Sequence, residues 1–267
     1  MPLENVPALL MRFTELGTCL VIADIHIGFE ESLKQRGLIL PSQTDRLLND
    51  LMKIILREQP DTLIILGDIK HQVPGVSKAE LLEVPKFFKS LTSLVPIIIL
   101  PGNHDGGLRD FLAGIGNLQI YNSRGITLSC QGLKIGLLHG HTWPAPELMS
   151  ADILIMGHTH PVIRLRDSLG YSYLEPVWVK VPLDVEKLLK VYPAKSKAIE
   201  VRLRHAIVMP AFNRFLSGNA INKANAERPL LGPLLESGAA LTLKSEVFLL
   251  DGTYLGQLDM LKETFEG

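Results

Sequence analysis

Short, fully apolar runs recur along this chain, and each ends in a compact polar cluster. Leu20-Val21-Ile22-Ala23 gives way to Asp24-Ile25-His26-Ile27-Gly28, and Thr62-Leu63-Ile64-Ile65-Leu66 to Gly67-Asp68-Ile69-Lys70-His71. Pro96-Ile97-Ile98-Ile99-Leu100 likewise runs into Pro101-Gly102-Asn103-His104-Asp105. Short aliphatic and β-branched runs bounded by turn residues predict strands buried on both faces. Helical spacing fills the intervals: 29–36, stopped by Gly37; about 42–58, with Leu47, Leu48, Leu51, Ile54 and Ile55 on one face; and about 77–94, where Pro85 is expected to kink or divide the helix. Strand, helix, strand, helix, strand with wholly apolar strands predicts a parallel sheet covered on both sides. Ligands of such sheets bind beyond the carboxyl ends of the strands, where every polar cluster falls.

The second half changes character. Ile126–Cys130 and Leu133–Leu138 flank the turn dipeptide Gln131-Gly132 and predict a hairpin whose second strand ends in His139-Gly140-His141. Asp152–Met156 leads into Gly157-His158-Thr159-His160. A further hairpin is expected from Arg164 to Tyr173, continuing toward Trp178-Val179, and late strands at 206–209, 246–250 and 254–255, the last two around Asp251-Gly252. Parallel pairing therefore yields to mixed pairing. With no internal repeat or clear linker, one domain over 1–267 is expected. It comprises a motif-bearing core of about 18–180, a lysine-rich excursion of about 182–200, and a sheet-completing segment of about 201–267. The excursion reads more readily as a solvated surface than as a phosphate contact.

Composition narrows the class. At 267 residues with 46% hydrophobic and 21% charged side chains, the chain resembles an ordinary globular protein able to bury a sizeable core. Its formal charge of −1 supplies no global field toward nucleic acid or anionic membrane. Cys19 and Cys130 lie in separate apolar segments, which suggests free thiols in a reducing compartment. No apolar run approaches the ~20 residues of a membrane span, and Met1-Pro2-Leu3-Glu4-Asn5 has no basic region followed by an apolar core. A cytoplasmic location is expected.

The chemistry lies in the histidines. Of eight, seven (His26, His71, His104, His139, His141, His158 and His160) sit in clusters that close apolar runs; His205 does not. Taken singly, Asp24 and Asp68 could be loop or helix caps, Asn103 a turn residue, and each histidine a plain loop residue. Together, Asp24, His26, Asp68, Asn103, His139, His158 and His160 offer oxygen and imidazole donors without thiolate. Such a set suits Mn²⁺, Fe, Zn²⁺, Co²⁺ or Ni²⁺ rather than a Ca²⁺ cage. Seven donors exceed one tetrahedral site and match two adjacent ions sharing a carboxylate, as in displacement at phosphorus.

The series Asp24-x-His26, Gly67-Asp68-x-x-His71, Gly102-Asn103-His104-Asp105, His139-Gly140 and Gly157-His158-x-His160 resembles the calcineurin-like metallophosphoesterase superfamily over about residues 20–161. Gly67-Asp68-Ile69-Lys70-His71 and Pro210-Ala211-Phe212-Asn213 are similar to a largely archaeal branch related to the nuclease subunit of the double-strand-break repair complex. The resemblance implies a four-layer α/β/β/α sandwich of two mixed sheets flanked by helices. It implies two divalent ions, Mn²⁺ foremost: Asp24, His26 and His160 on one, Asn103, His139 and His158 on the other, Asp68 on both. His158 and His160 would reach separate ions through alternation along an extended chain.

By the same resemblance, His104 protonates the leaving oxygen, Asp105 orients its ring, and a hydroxide between the ions attacks phosphorus. His71 and His141 would contact substrate or orient a ligand, with His139 favoured over His141 as the donor. Lys70 is either solvated or a phosphate contact. The expected activity is hydrolysis of a phosphoester, in a nucleotide or nucleic acid, with phosphodiesterase or nuclease activity first. The alternatives are a small-molecule phosphomonoesterase or nucleotidase, and a non-catalytic metal-bound interaction module.

Overall fold

The computed structural model describes residues 1–192, 201–223 and 229–264. The first sheet contains β1 (Leu9–Phe13), β2 (Gly17–Ile22), β3 (Thr62–Ile65), β4 (Ile97–Ile99) and β5 (Leu118–Ile120), in that spatial order. From β2 to β5 the strands are parallel, joined by helices α1 (Phe29–Gln35), α2 (Thr44–Glu58), α3 (Lys78–Thr92) and α4 (Leu108–Phe111). The exception is β1, an antiparallel edge strand on β2 that the sequence reading omits, as it omits the three-residue β5.

Residues after β5 build the second sheet: β6 (Ile126–Cys130), β7 (Leu133–Leu138), β8 (Ile153–Met156), β9 (Pro161–Arg166), β10 (Ser172–Pro182), β11 (His205–Val208), β12 (Asn219–Ala220), β13 (Glu246–Leu249) and β14 (Tyr254–Gln257). Its order is β12-β9-β10-β11-β8-β7-β6, with β13 on β10 and β14 on β13. β7, β8 and β11 run parallel, while the hairpins β6–β7 and β9–β10 are antiparallel, so the sheet is mixed. α5 (Val185–Val191) and α6 (Leu258–Thr264) are the remaining α-helices among the described residues. Of the lysine-rich excursion, the start is the end of β10 and α5, and residues 193–200 lie outside the described residues.

Period-two alternation explains the layering. In β2, Leu20 and Ile22 face α2 and α3, whereas Cys19 and Val21 face the second sheet. In β3 and β4, Leu63, Ile65, Ile97 and Ile99 face the helices, and Ile64 and Ile98 face inward. The second sheet mirrors this: Ile153, Ile155 and Trp178 meet the first sheet, while Leu154, Met156, Val177 and Val179 pack under α5 and α6. The result is two mixed sheets flanked by helices, with about 1.5–3 kcal/mol contributed by each fully buried large aliphatic side chain.

Helix ends follow local chemistry. Ser77 accepts from the Glu80 N–H at 3.1 Å while the Glu80 carboxylate accepts from the Ser77 N–H at 2.6 Å, a reciprocal cap that starts α3. α3 then runs through Pro85 as one helix, so of the two expected effects the proline does not divide it. α2 ends where Gln59 turns left-handed at φ 46° and Pro60 follows. Both cysteines are free, Cys19 buried and Cys130 half-buried. No helix among the described residues is long and apolar enough to cross a membrane.

Candidate metal centre

Parallel strands place the ends of β2, β3 and β4 side by side, so the polar clusters following them meet. Backbone bonds tie the loops together: Asp24 N–H to Gly67 O at 3.1 Å, His26 N–H to Asp68 O at 2.8 Å and Ile27 N–H to Ile69 O at 2.8 Å. From the other sheet, β7 delivers His139 and β8 delivers His158 and His160, with the His158 N–H donating to Asp24 Oδ2 at 3.1 Å. Among the described residues nine non-glycine residues have left-handed backbone, and Asp24 (φ 59°), His26 (48°), Asp68 (51°), His158 (70°) and His160 (48°) are five of them. Such conformations cost of order 1–3 kcal/mol each and persist where the surroundings impose them, characteristically at functional sites.

The side chains converge on Asp68. Its Oδ2 lies 3.4 Å from His26 Nε2, 3.4 Å from His139 Nε2 and 3.9 Å from His104 Nε2. On one side, His26 Nε2 and His160 Nε2 face each other at 3.2 Å, and His160 Nε2 lies 3.2 Å from Asp24 Oδ1. On the other, His139 Nε2 lies 3.2 Å from Asn103 Oδ1, and Asp68, His139 and His158 offer ligand atoms within 4.8 Å of one another. Asp68 thus belongs to two donor groups, Asp24–His26–Asp68–His160 and Asp68–His139–His158. His158 and His160 fall into different groups, but through left-handed turns at both residues rather than an extended chain; Thr159 between them is buried and accepts the Leu231 N–H at 3.1 Å.

Electrostatics distinguish these groups from ordinary ion pairs. Asp24 and Asp68 are buried, and their charged or polar side-chain partners are imidazoles; among the described residues no Lys or Arg pairs with either. Burial acts to raise the Asp68 carboxyl, but His139 and His26 against it outweigh that and hold it far below the ordinary carboxylate range. Burial pulls the His139 ring down, yet the hydrogen bond and charge of Asp68, with the charge of Asp24, prevail and lift it to about 9. His160 is raised because Asp24 overcomes burial, while burial outweighs Asp68 and lowers His26. Two buried carboxylates, facing imidazole nitrogens and protons held only by that proximity form a donor set fitted to divalent cations. His139 Nδ1 donates to Leu66 O at 2.7 Å, which fixes the ring with Nε2 toward the centre.

The remaining predicted residues are placed as follows. His71 Nδ1 meets His26 Nδ1 at 3.3 Å, and His71 O accepts His104 Nδ1 at 2.6 Å, so His71 braces both rings. The ring of His71 is pushed down to about 4 by burial and then by the neighbouring imidazoles. His141 stands beside His139 with ring centroids 5.2 Å apart and its buried Nδ1 unpartnered among the described residues; burial, then His139, pushes it to about 4.

Two expectations are corrected. Asp105 does not hold the His104 ring, because its oxygens accept the Ile69 and Gly102 N–H groups, each at 2.8 Å, and His71 O takes the ring instead. Lys70 neither is solvated nor faces the site: it is buried, and its ammonium donates to Gln72 O and Gly75 O at 2.7 and 2.8 Å.

Two supporting residues had no site role in the sequence reading, although Asn213 closes one of its motifs. Buried Glu80 accepts the N–H groups of His71 and Gln72 at 2.8 and 2.7 Å, fixing the loop that carries His71; its signal was the Ser-x-x-Glu cap. Buried Asn213 donates to Ile25 O at 2.9 Å, bracing the turn between Asp24 and His26. No local pattern announces that contact across 188 residues.

A two-sheet sandwich with N/O donors converging on a shared aspartate defines the class: a site of the kind that holds divalent ions for phosphoester chemistry. The profile of the family described as calcineurin-like phosphoesterase matches residues 17–185, and the chain belongs to that family. No curated protein matches the chain. Among solved structures it is similar to a Pseudomonas putida nuclease named MPE, at 19% identity over 94% of this chain and 95% of that one, with a TM-score of 0.48. A novel archaeal phosphodiesterase is 21% identical over 56% of this chain and 78% of that one, at a TM-score of 0.34. The Escherichia coli phosphoesterase Yfce is 17% identical over 56% and 74%, at 0.37.

Proposed function

We propose that the protein is a phosphodiesterase working with two divalent ions, Mn²⁺ foremost. The observation carrying this reading is the Asp68 carboxylate shared between two donor groups, with His104 facing the same oxygen. Asp24, His26 and His160 would hold one ion and Asn103, His139 and His158 the other, with Asp68 available to both. When bound, the ions supply positive charge to the phosphoryl oxygens and a water acidic enough to act as nucleophile. His104 donates Nδ1–H to His71 O, which fixes the ring with Nε2 toward the cleft, placed to pass a proton to the departing oxygen.

A diester is favoured over a monoester by charge. The cavity over the site, about 430 Å³, is lined by His26, His71, His104, His158 and His160 among others, and by no Lys or Arg among the described residues. Lys70 is spent on backbone carbonyls. Among the described residues a monoester dianion would meet no lysine or arginine to offset its second charge, whereas a diester monoanion needs none beyond the ions.

The test is Mn²⁺-dependent hydrolysis of bis-p-nitrophenyl phosphate against p-nitrophenyl phosphate. The diester should be cleaved with higher kcat/KM, His104→Ala should lower kcat about 10²–10⁴-fold, and Asp68→Ala should abolish turnover. Equal or faster cleavage of the monoester would overturn the diester preference. An unchanged rate in both variants would overturn the mechanism.

A further inference from the structure

The cavity over the metal centre does not end at His160. It shares His160, Leu216, Ser217 and Gly218 with a second cavity of about 680 Å³, whose walls include Val162, Leu174, Pro176 and Leu249 with Glu175 and Asp251. That cavity in turn shares Asn5 and Arg214 with a third of about 360 Å³, floored by one face of α2. On this face Arg46, Lys53 and Arg57 stand at helical spacing, with Asp50 as the acid among them. Three adjoining cavities, each sharing walls with the next, therefore form a groove from the metal centre through a largely apolar middle to a basic end.

The basic end is built. Phe215, 38% exposed, stacks on Phe29 with centroids 6.2 Å apart and planes 10° apart. The Arg46 guanidinium lies over the Phe215 ring, 4.8 Å from its centroid, which orients the fork while leaving its donors free. Lys53 pairs with Asp50 at 3.4 Å and Arg57 with Glu58 at 2.6 Å, but Arg46 and Arg214 have no carboxylate partner among the described residues. Arg214 is anchored by donating to Asn5 O. Two exposed guanidiniums held in place without counter-charge are suited to phosphate. The apolar middle with two carboxylates suits an unpaired base and sugar, whose amino and hydroxyl groups can donate to Glu175 and Asp251.

We infer that this groove is the binding track for a single-stranded nucleic acid. The scissile phosphate lies at the metal centre, a nucleoside in the middle cavity, and flanking phosphates on Arg214 and Arg46. The inference rests on the proposed phosphodiesterase reading and names its substrate class. A paired duplex does not fit, because a base buried in the middle cavity must be out of the stack.

The test separates binding from hydrolysis. Binding of a fluorescein-labelled single-stranded oligonucleotide is followed by anisotropy without added metal, at several salt concentrations. Wild type is compared with Arg46→Ala, Arg214→Ala, the double variant, and Lys134→Ala as an equal loss of charge outside the groove. Each arginine variant should weaken binding roughly tenfold, the scale of a charged hydrogen bond. The double variant should reduce the slope of log K against log salt by about 1.4, at ~0.7 per single-strand phosphate. Lys134→Ala should match wild type.

Wild-type affinity and slope in the double variant, or losses equalled by Lys134→Ala, would overturn the track. Duplex of the same sequence binding as tightly would overturn the single-strand assignment. Wild-type protein that fails to bind the oligonucleotide yet cleaves bis-p-nitrophenyl phosphate in Mn²⁺ tells against the groove alone. The reverse tells against the phosphodiesterase reading alone.

Discussion

Gly102 offers the sharpest probe of the shared aspartate. Its φ is not left-handed, so alanine is tolerated by the backbone, but a Cβ there would stand 2.1 Å from Asp68 Oδ1, 2.6 Å from Asp68 N and 2.8 Å from Asp68 Cγ. Ordinary contact begins at 3.4 Å, so Oδ1 must retreat by 3.4 − 2.1 = 1.3 Å. Rotation alone does not relieve the clash, because the Asp68 backbone nitrogen is crowded too. The same oxygen accepts the His104 N–H at 3.0 Å, and the Gly102 N–H itself donates to Asp105. Metal–ligand distances tolerate about 0.2 Å, several times less than the displacement. Gly102→Ala should therefore cost about 1–3 kcal/mol of stability through overpacking and weaken Mn²⁺ binding at least 10–100-fold, the scale seen when a ligand's support is removed. Because Asp68 serves both donor groups, both ions should be affected. Gly106→Ala in the same loop is the control, since nothing lies within 4 Å of its added methyl. Calorimetric titration with Mn²⁺ and thermal melting read the outcome. Two ions bound by Gly102→Ala within threefold of wild-type affinity would refute the shared-carboxylate geometry.

Two further outcomes follow from protons and hydrogen bonds at the site. His139 titrates near 9 in the folded, metal-free chain against 6.5 for an ordinary histidine. Its folded value is raised, so its contribution to stability, at most roughly 3 kcal/mol at 1.36 per pH unit, is complete below 6.5 and lost as pH rises through 9. A metal must displace that proton, so Mn²⁺ affinity should rise about tenfold per unit from pH 7 to 9, with proton release measured by titration in buffers of different ionisation enthalpy; a flat profile would contradict the assignment of His139 as a ligand. Asp105→Asn sets a donor against the Ile69 or Gly102 N–H and should lower stability by about 1–3 kcal/mol in chemical denaturation. If Asp105 instead served only the His104 ring, the melt would not move.

The legible parts of this chain were those encoded locally. β2, β3, β4 and β8 are apolar runs closed by Asp or His, and both the run and its polar end can be read without knowing the fold. The parallel order followed from the helical intervals, and convergence of the clusters from the rule that parallel strands end together. β1 was missed because Leu9-Leu10-Met11-Arg12-Phe13 alternates poorly and gains strand character only from pairing with β2. Lys70 and Asp105 were misread for a related reason. Each sits within two residues of a donor in sequence, but its direction is set by backbone carbonyls or amides around it, and such bonds leave no trace in the residue pattern.

Strain and division of labour between the sheets are linked. Asp24, His26, Asp68 and Asn103 come from the first sheet and His139, His158 and His160 from the second, so each donor group straddles the sandwich. A strand can aim a side chain only above or below its sheet, whereas these residues lie past the strand ends and must converge from both sheets on one carboxylate. The left-handed turns at Asp24, His26, Asp68, His158 and His160 supply that change of direction immediately after their strands. Asp and His are among the non-glycine residues that accept the conformation most readily. The residue types that ligate are thus also the types the backbone permits. A glycine would take the turn without supplying a donor, and a β-branched residue would resist the turn and supply none.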